Sequence, residues 1–408
     1  MSTDEFHEDF ANFNDPSDTG RAPEIRDEFP DPQPAFRCAV IGVGQCGGNL
    51  AAQFYSLGYR RVLAINTATA DLNAIKEPIG KLALDKQGAG KDPDYARNLV
   101  VAKASQIRSA MGTAFGEDYE KIIVCMSLGG GTGSGGGPEI VRMAQDLIRE
   151  RQGNPNRDVI VIAVLPEPIT DGPRQCFNAL KAYSRLEQLY IPRLYVDNSK
   201  LRKVISTTFG ENWPRLNNWV VKTFHRFVSF ATKESEHGVC DGRDLEDVIS
   251  RGRFIFSAFR VPDLGKKHTI GGIMGEHLEK SMFAQVKLST AQAAVCMIVL
   301  NRSAVVNRSM NDIAPAFTEL NNLMTSPGST LHQGIYLVDL QPAPDGTMPP
   351  ELFCYVMLGG LDHPYDSLNP IFEKAKRYSP EHGTLSAFLM PEMNDSCTGT
   401  AGSSVAIS

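Results

Sequence analysis

Missing from this sequence of 408 residues is any apolar run of the roughly 18–20 residues that a membrane-spanning helix needs, so no membrane span is expected. Positive charge is not in excess either. Lys and Arg number 41 against 47 Asp and Glu, a net charge of −6, whereas electrostatic binding of nucleic acid calls for a basic balance or stripe. The eight cysteines never fall as C-x-x-C, which argues against a zinc site or a redox pair. The opening Met1-Ser2-Thr3-Asp4-Glu5 has no basic stretch followed by an apolar one, so no secretory signal is expected there. Together these absences point to reduced thiols and a cytoplasmic location.

What is present is an ordinary globular composition, 42% hydrophobic and 22% charged, enough for a sizeable core. The length predicts two domains with tails. Residues 1–36 are acidic, rich in Pro, and lack apolar periodicity, so a disordered tail is expected there. Short apolar runs at 38–41, 61–65, 121–127 and 159–165 read as strands, and 48–57, 94–111 and 138–149 as helices between them. Strands alternating with helices predict an α/β domain over 37–210 with a mostly parallel sheet covered on both faces. A long helix follows at about 212–233, where Leu216, Val220, Phe224, Phe227 and Val228 keep helical spacing. An acidic loop and helix start occupy 234–250. The segment 251–380 reads as a smaller α+β domain with strands near 254–259, 293–300, 334–340 and 352–358 and a helix near 311–324. Residues 381–408 read as a flexible tail.

Two glycine loops carry the chemistry. The first, Gly42-Val43-Gly44-Gln45-Cys46-Gly47-Gly48-Asn49, joins the first strand to a helix, where backbone amides can meet phosphate oxygens. Its G-x-G-x-x-G spacing also matches a dinucleotide fold, but that reading needs an acid at the end of the second strand, and Asn66-Thr67 stands there. A tight turn without ligand is the plain alternative. The second loop, Gly129-Gly130-Gly131-Thr132-Gly133-Ser134-Gly135-Gly136-Gly137, sits between strand and helix. So many glycines are costly in entropy for a mere turn, and the loop is suited to wrapping a polyphosphate with amides and the Thr132 and Ser134 hydroxyls. It lacks the Gly-Lys-Ser/Thr ending of a P-loop.

Gly129 to Gly135 reads Gly-Gly-Gly-Thr-Gly-Ser-Gly, which resembles the signature loop of the tubulin/FtsZ superfamily. Gly44-Gln45-Cys46-Gly47 is similar to the tubulin form of the first loop, and Gly88-Ala89-Gly90-Lys91-Asp92-Pro93 to an FtsZ loop at the γ-phosphate. Ile65-Asn66-Thr67-Ala68-Thr69-Ala70-Asp71-Leu72 looks closest to CetZ-like proteins. The resemblance runs from about Arg37 to about Lys374. It implies a Rossmann-like GTPase domain, a long central helix and a smaller α+β domain, with GTP or GDP and Mg2+ as cofactors. It implies that Gln45 and Asp71 lie near the magnesium, and that Cys46, Asn49, Asn66, Thr67 and the second loop lie at the nucleotide. Ala89, Gly90 and Lys91 would approach the γ-phosphate, Asp171 the ribose, Asn198 and Asn217 the guanine edge, and Trp213 the face of the base. Taken alone, Asp71 also reads as a helix-start acid, Lys91 as a surface lysine and Trp213 as a core tryptophan.

Cys240-Asp241-Gly242-Arg243-Asp244-Leu245-Glu246-Asp247 alone reads as helix capping. By the resemblance it is the loop that enters the next subunit's nucleotide site, with Asp244 and Asp247 activating water. Gly242 stands where the family has asparagine, which bears on the rate of hydrolysis. The implied function is a GTPase that polymerises head to tail, with adaptor proteins as possible partners. The alternative is a GTP-binding regulator that does not polymerise.

Overall fold

The computed structural model describes residues 34–200, 212–232, 240–261, 270–302, 310–338, 352–379 and 384–389. Its first sheet is made of β1 (Cys38–Val43), β2 (Arg61–Asn66), β3 (Gly80–Ala83), β4 (Lys121–Ser127), β5 (Val159–Leu165) and β6 (Arg193–Asp197), in the order β3-β2-β1-β4-β5-β6. Every pairing is parallel. Successive side chains of a strand point to opposite faces. In β1, Cys38 and Val40 enter one core while Ala39, Ile41 and Val43 enter another. Both faces are therefore covered, as a parallel sheet requires. The covering helices are α1 (Gly44–Ser56), α2 (Thr69–Ala74), α3 (Pro93–Ala102), α4 (Ala104–Phe115), α5 (Gly137–Glu150) and α6 (Pro173–Glu187).

The continuous helix expected over 94–111 is instead two. Lys103 leaves helical geometry at φ −104° and ψ 19°, and its ammonium donates to the Leu84 carbonyl. That tertiary contact outweighs the local helical pattern.

The long helix α7 (Asn212–Phe230) buries Val220, Val221, Phe224, Phe227 and Val228 between the two halves of the fold. After α8 (Gly242–Ser250) comes a four-stranded sheet of β7 (Phe254–Val261), β8 (Ala293–Asn301), β9 (Thr330–Val338) and β10 (Leu352–Gly359), in the order β7-β10-β8-β9. Here β10 is antiparallel to β7 and β8, and β9 is parallel to β8. Helices α9 (Ile270–Glu279), α10 (Met310–Leu323) and α11 (Tyr365–Ala375) complete this part.

Both expected tails begin later or end sooner than the sequence suggests. Phe36 is buried and carries the Lys121 ammonium 4.6 Å from its ring centre. A short helix, α12 (Leu385–Leu389), buries Leu385 and Leu389, so the chain is still packed inside the expected C-terminal tail. Apolar side chains spaced four apart decide this, against a polar surrounding composition. Residues 1–33 and 390–408 lie outside the described residues. The seven described cysteines are free. Among the described residues no helix is long and apolar enough to cross a membrane.

Candidate functional site

The order of the first sheet places β1 and β4 side by side, with the chain winding outward in both directions from them. Such a switch point leaves a crevice beyond the carboxyl ends of the strands. A cleft of about 570 Å³ lies there. Its floor is glycine backbone from the two loops, because close approach is needed on both. A Cβ on Gly47 would stand 2.2 Å from the Cys125 carbonyl oxygen, and one on Gly133 would stand 2.2 Å from that of Ser127. Both loops run straight into helix, the second through a π-helical turn at Thr132–Gly136, so free amides converge on the cleft.

Gly44, Gln45, Cys46, Asn49, Asn66, Thr67 and Asp71 line one side of the cleft. Gly129, Gly130, Gly131, Thr132 and Gly133 line its floor, and Ala89, Gly90 and Lys91 its rim. Asp171, Asn198 and Asn217 close the remaining wall. The polar groups are pre-set. Thr132 Oγ1 lies 2.7 Å from Thr67 Oγ1 and donates to Asn66 Oδ1 at 3.1 Å, while Asn66 Nδ2 donates to Asp71 Oδ2 at 2.9 Å. Burial pushes the Cys46 thiol up to about 12, so it stays neutral beside any polyphosphate.

Two expected residues stand elsewhere. Gly47 is packed against Cys125 behind the loop and does not line the cleft. Ser134 turns its hydroxyl back to the Gly130 and Gly131 carbonyls, capping the turn, and is not a donor into the cleft. The side chain of Trp213 lies outside the described residues.

One contributor has no sequence signature. Gln175, on α6, accepts from Lys91 Nζ at 3.1 Å and donates to Asp171 Oδ1 at 2.7 Å, linking the rim to the far wall. Lys91 is held at φ +61°, a left-handed conformation, while its carbonyl accepts from Asn178 Nδ2 at 3.0 Å. Such strain persists only where the surroundings over-determine it.

The lining offers a nucleobase a hydrogen-bond acceptor. Asn198 Oδ1 is buried at the cleft with no hydrogen-bond partner among the described residues, so it is ready for a ligand N–H. The Asp71 carboxylate with the Gln45 amide is the sparse protein set that magnesium accepts when phosphates supply the rest.

Asp244 and Asp247 are not in the cleft. They stand on α8, whose Glu246 accepts from Lys121 at 2.5 Å, and Lys121 is the first residue of β4. Lys121 also donates to Asp158 Oδ1 at 2.9 Å, just before β5. The acids therefore flank the amino ends of the same parallel strands whose carboxyl ends hold the cleft. The seven residues of β4 put about 20 Å between them. At α8, Asp241 caps the helix, accepting from Arg243 N and Asp244 N, and Asp244 Oδ2 accepts from Asp241 N. Burial tends to raise the Asp247 carboxyl, but hydrogen bonds from His332 and Arg251, the Arg251 charge and the Thr330 hydroxyl outweigh it and hold the group below its ordinary value. A Cβ at Gly242 would meet Ala35 and Phe36 only at ordinary contact distances, 3.5 and 3.6 Å, so the missing side chain is not excluded by crowding.

Comparison with known proteins agrees with this geometry. The profile of the Tubulin/FtsZ family, GTPase domain, matches residues 37–206. A tubulin-like protein CetZ of Pyrococcus furiosus is 24% identical over 356 residues, 85% of this chain and 91% of that one. The GTPγS-form protofilament of Bacillus thuringiensis serovar israelensis TubZ superposes with a TM-score of 0.71 at 19% identity, covering 86% of this chain and 94% of that one. CetZ2 of Haloferax volcanii, as a GTPγS-bound protofilament, gives 0.66 at 20% identity, covering 84% and 99%. Residues 37–206 thus match the GTPase domain of the Tubulin/FtsZ family, in a chain that carries the tubulin/FtsZ-like fold.

Proposed function

We propose that this chain binds GTP with Mg2+ in the cleft and hydrolyses it where two copies meet head to tail, so that the working form is a filament. The observation that carries this reading is the placement of Asp244 and Asp247 at the end of the first sheet opposite to the cleft. The acids that line the cleft are Asp71 and Asp171, which this reading assigns to magnesium and to the ribose. A subunit moved along the strand direction brings its α8 over the cleft of the next. Such a contact is heterologous and propagates without closing. The similar structures described as protofilaments favour the same arrangement.

In this reading the amides of both loops and the Thr132 hydroxyl hold the phosphates, and Asn198 and Asn217 read the guanine edge. Lys91 sits at the γ-phosphate and Asp171 at the ribose. Magnesium, held by Asp71 and Gln45, offsets the phosphate charge when bound. Water from the interface attacks the γ-phosphorus, and the bond from that phosphorus to the β–γ bridging oxygen breaks. GDP leaves with that electron pair, and phosphate is the second product. The partner's carboxylates accept hydrogen bonds from the attacking water and aim its lone pair at phosphorus. A depressed carboxyl such as Asp247 is a weak base, so it orients the water more than it abstracts a proton.

The test is the GTPase rate per subunit across a range of protein concentrations. A rate near zero below a threshold and rising above it supports a shared site. A flat, nonzero rate means that each subunit is complete alone, and the trans role fails. The side chain absent at Gly242 favours a second reading, a GTP-binding regulator without efficient turnover. Tight GTP binding with no hydrolysis at any concentration selects it.

A further inference from the structure

His332 has a bonding pattern that a neutral histidine cannot complete. It lies on β9, the edge strand of the second sheet, and is 25% exposed in its side chain. Its Nδ1 is 2.8 Å from Asp244 Oδ1 and its Nε2 is 3.1 Å from Asp247 Oδ2. Neutral imidazole carries one N–H and one lone pair. If both carboxylates are ionised, one of the two contacts would set lone pair against lone pair. Both contacts are attractive when each ring nitrogen carries a proton.

We propose that His332 is a positioning residue for hydrolysis, bridging Asp244 and Asp247 through both ring nitrogens so that the two carboxylates are held in one orientation and one of their negative charges is offset. This rests on the reading that α8 works on the neighbouring subunit's nucleotide. Two carboxylates on one helical turn repel one another, and a triphosphate brought toward them adds more negative charge. A cation bridging them lowers that repulsion and leaves Asp244, which takes one bond on each oxygen, with lone pairs for water, while Asp247 is fixed by four hydrogen bonds.

Among the described residues the charged and titratable surroundings are few. At the end of α8, Arg251 bonds the far oxygen of Asp247 through Nε at 3.1 Å and an Nη at 2.8 Å, and at its start the Asp241 carboxylate is spent on the helix cap. On β9, the Thr330 hydroxyl donates to Asp247 Oδ2 at 3.1 Å, and Tyr336 donates to the Cys240 carbonyl. On β8, Val295 lies opposite His332 in register, and next to it is Cys296, whose thiol is pushed up by its hydrogen bond with Cys354 and by burial. The Cys240 thiol, ahead of α8, is likewise pushed up by burial and then by the Asp244 charge.

Two measurements test the bridge. The first is nitrogen-15 NMR of the full chain, kept below its assembly threshold, at about pH 6. Protons on both His332 ring nitrogens, with one lost in Asp244→Asn or Asp247→Asn, are expected. A single ring proton in the parent overturns the proposal, whatever the protein does with GTP. The second is turnover above the threshold for the parent, His332→Gln and His332→Lys, with GDP binding and urea midpoint as checks of folding. His332→Gln is expected to lower turnover about tenfold, as for a lost hydrogen bond to a charged group. His332→Lys, which restores a charged donor at that position, should recover part of the rate. A His332→Gln protein that keeps the parental rate, or a His332→Lys protein no faster than His332→Gln, overturns the proposal. A parent without turnover at any concentration defeats the proposed function, and the NMR result then decides the bridge by itself.

Discussion

The two ends of the first sheet are built from different materials. The cleft end is built around backbone. Its floor is glycine loop, packed so closely on the strands that Gly47 and Gly133 have no room for a side chain. The α8 end is side chains drawn together from distant parts of the chain. Lys121, Asp158, Arg157 and Glu246 meet in one ion network, and His332 reaches Asp244 and Asp247 from β9. A glycine loop is a local property and can be read along the chain. A network whose members lie 125 residues apart, as Lys121 and Glu246 do, is a product of the fold.

The comparison is broken most directly at the acids proposed to orient the water. Asp247→Ala is expected to lower turnover by about 10²–10⁴-fold, the usual weight of a group that handles the attacking water. GTP affinity, measured by equilibrium dialysis, should stay within about twofold, because the cleft is elsewhere. Equal losses of binding and turnover would place the acid in the cleft after all.

Next is the network that fixes α8 to the sheet. Lys121 is 4% exposed in its side chain, and its removal leaves Asp158 and Glu246 partly uncompensated. Lys121→Ala should cost about 3–5 kcal/mol in urea unfolding. A loss under about 1 kcal/mol would mean that the network is a solvated surface pair.

At the cleft, Asn198→Leu removes the orphaned amide oxygen. The GTP-to-ATP preference should then drop by about 10²-fold or more, since base selectivity built on hydrogen bonds is lost with them. An unchanged preference would move base reading to another residue. A smaller effect is expected at the rim, where Lys91→Ala should reduce the preference for GTP over GDP by about threefold, as for an exposed ion pair.

The smallest effect is on acid stability. Burial raises the Asp158 carboxyl, but the hydrogen bonds from Arg157 and Lys121 and the Lys121 charge outweigh it and hold the group below its ordinary value. A depressed folded value means that its stabilisation is present above the unfolded value of about 4 and is lost as pH falls through the folded one. Asp158→Asn should therefore shrink the loss of stability between about pH 4 and about 2.

What could be read in the sequence follows the same division. The strands at 121–127 and 159–165 have the same bounds in sequence and structure, because continuous apolar runs that stop at polar residues leave little choice. The second glycine loop was legible for the same reason. The break at Lys103 was not, since a lysine reaching a carbonyl on another segment leaves no local mark. Ser134 looked like a donor because its residue type fits, yet a hydroxyl in a turn can satisfy itself on carbonyls three and four residues back. Gln175 and His332 carry no motif at all, and only the packing of α6 and β9 brings them to their sites.

The central claim, one active site made by two copies, is tested most directly by mixing two disabled proteins. One carries Asp244→Ala and Asp247→Ala and keeps its cleft. The other carries Asn198→Ala and Asn217→Ala and keeps its acids. Each alone is expected to be nearly inactive. Mixed in equal amounts, about a quarter of randomly formed head-to-tail contacts join an intact cleft to intact acids, and GTPase activity should reappear at about that share of the parental rate. A mixture no more active than its components would contradict the account.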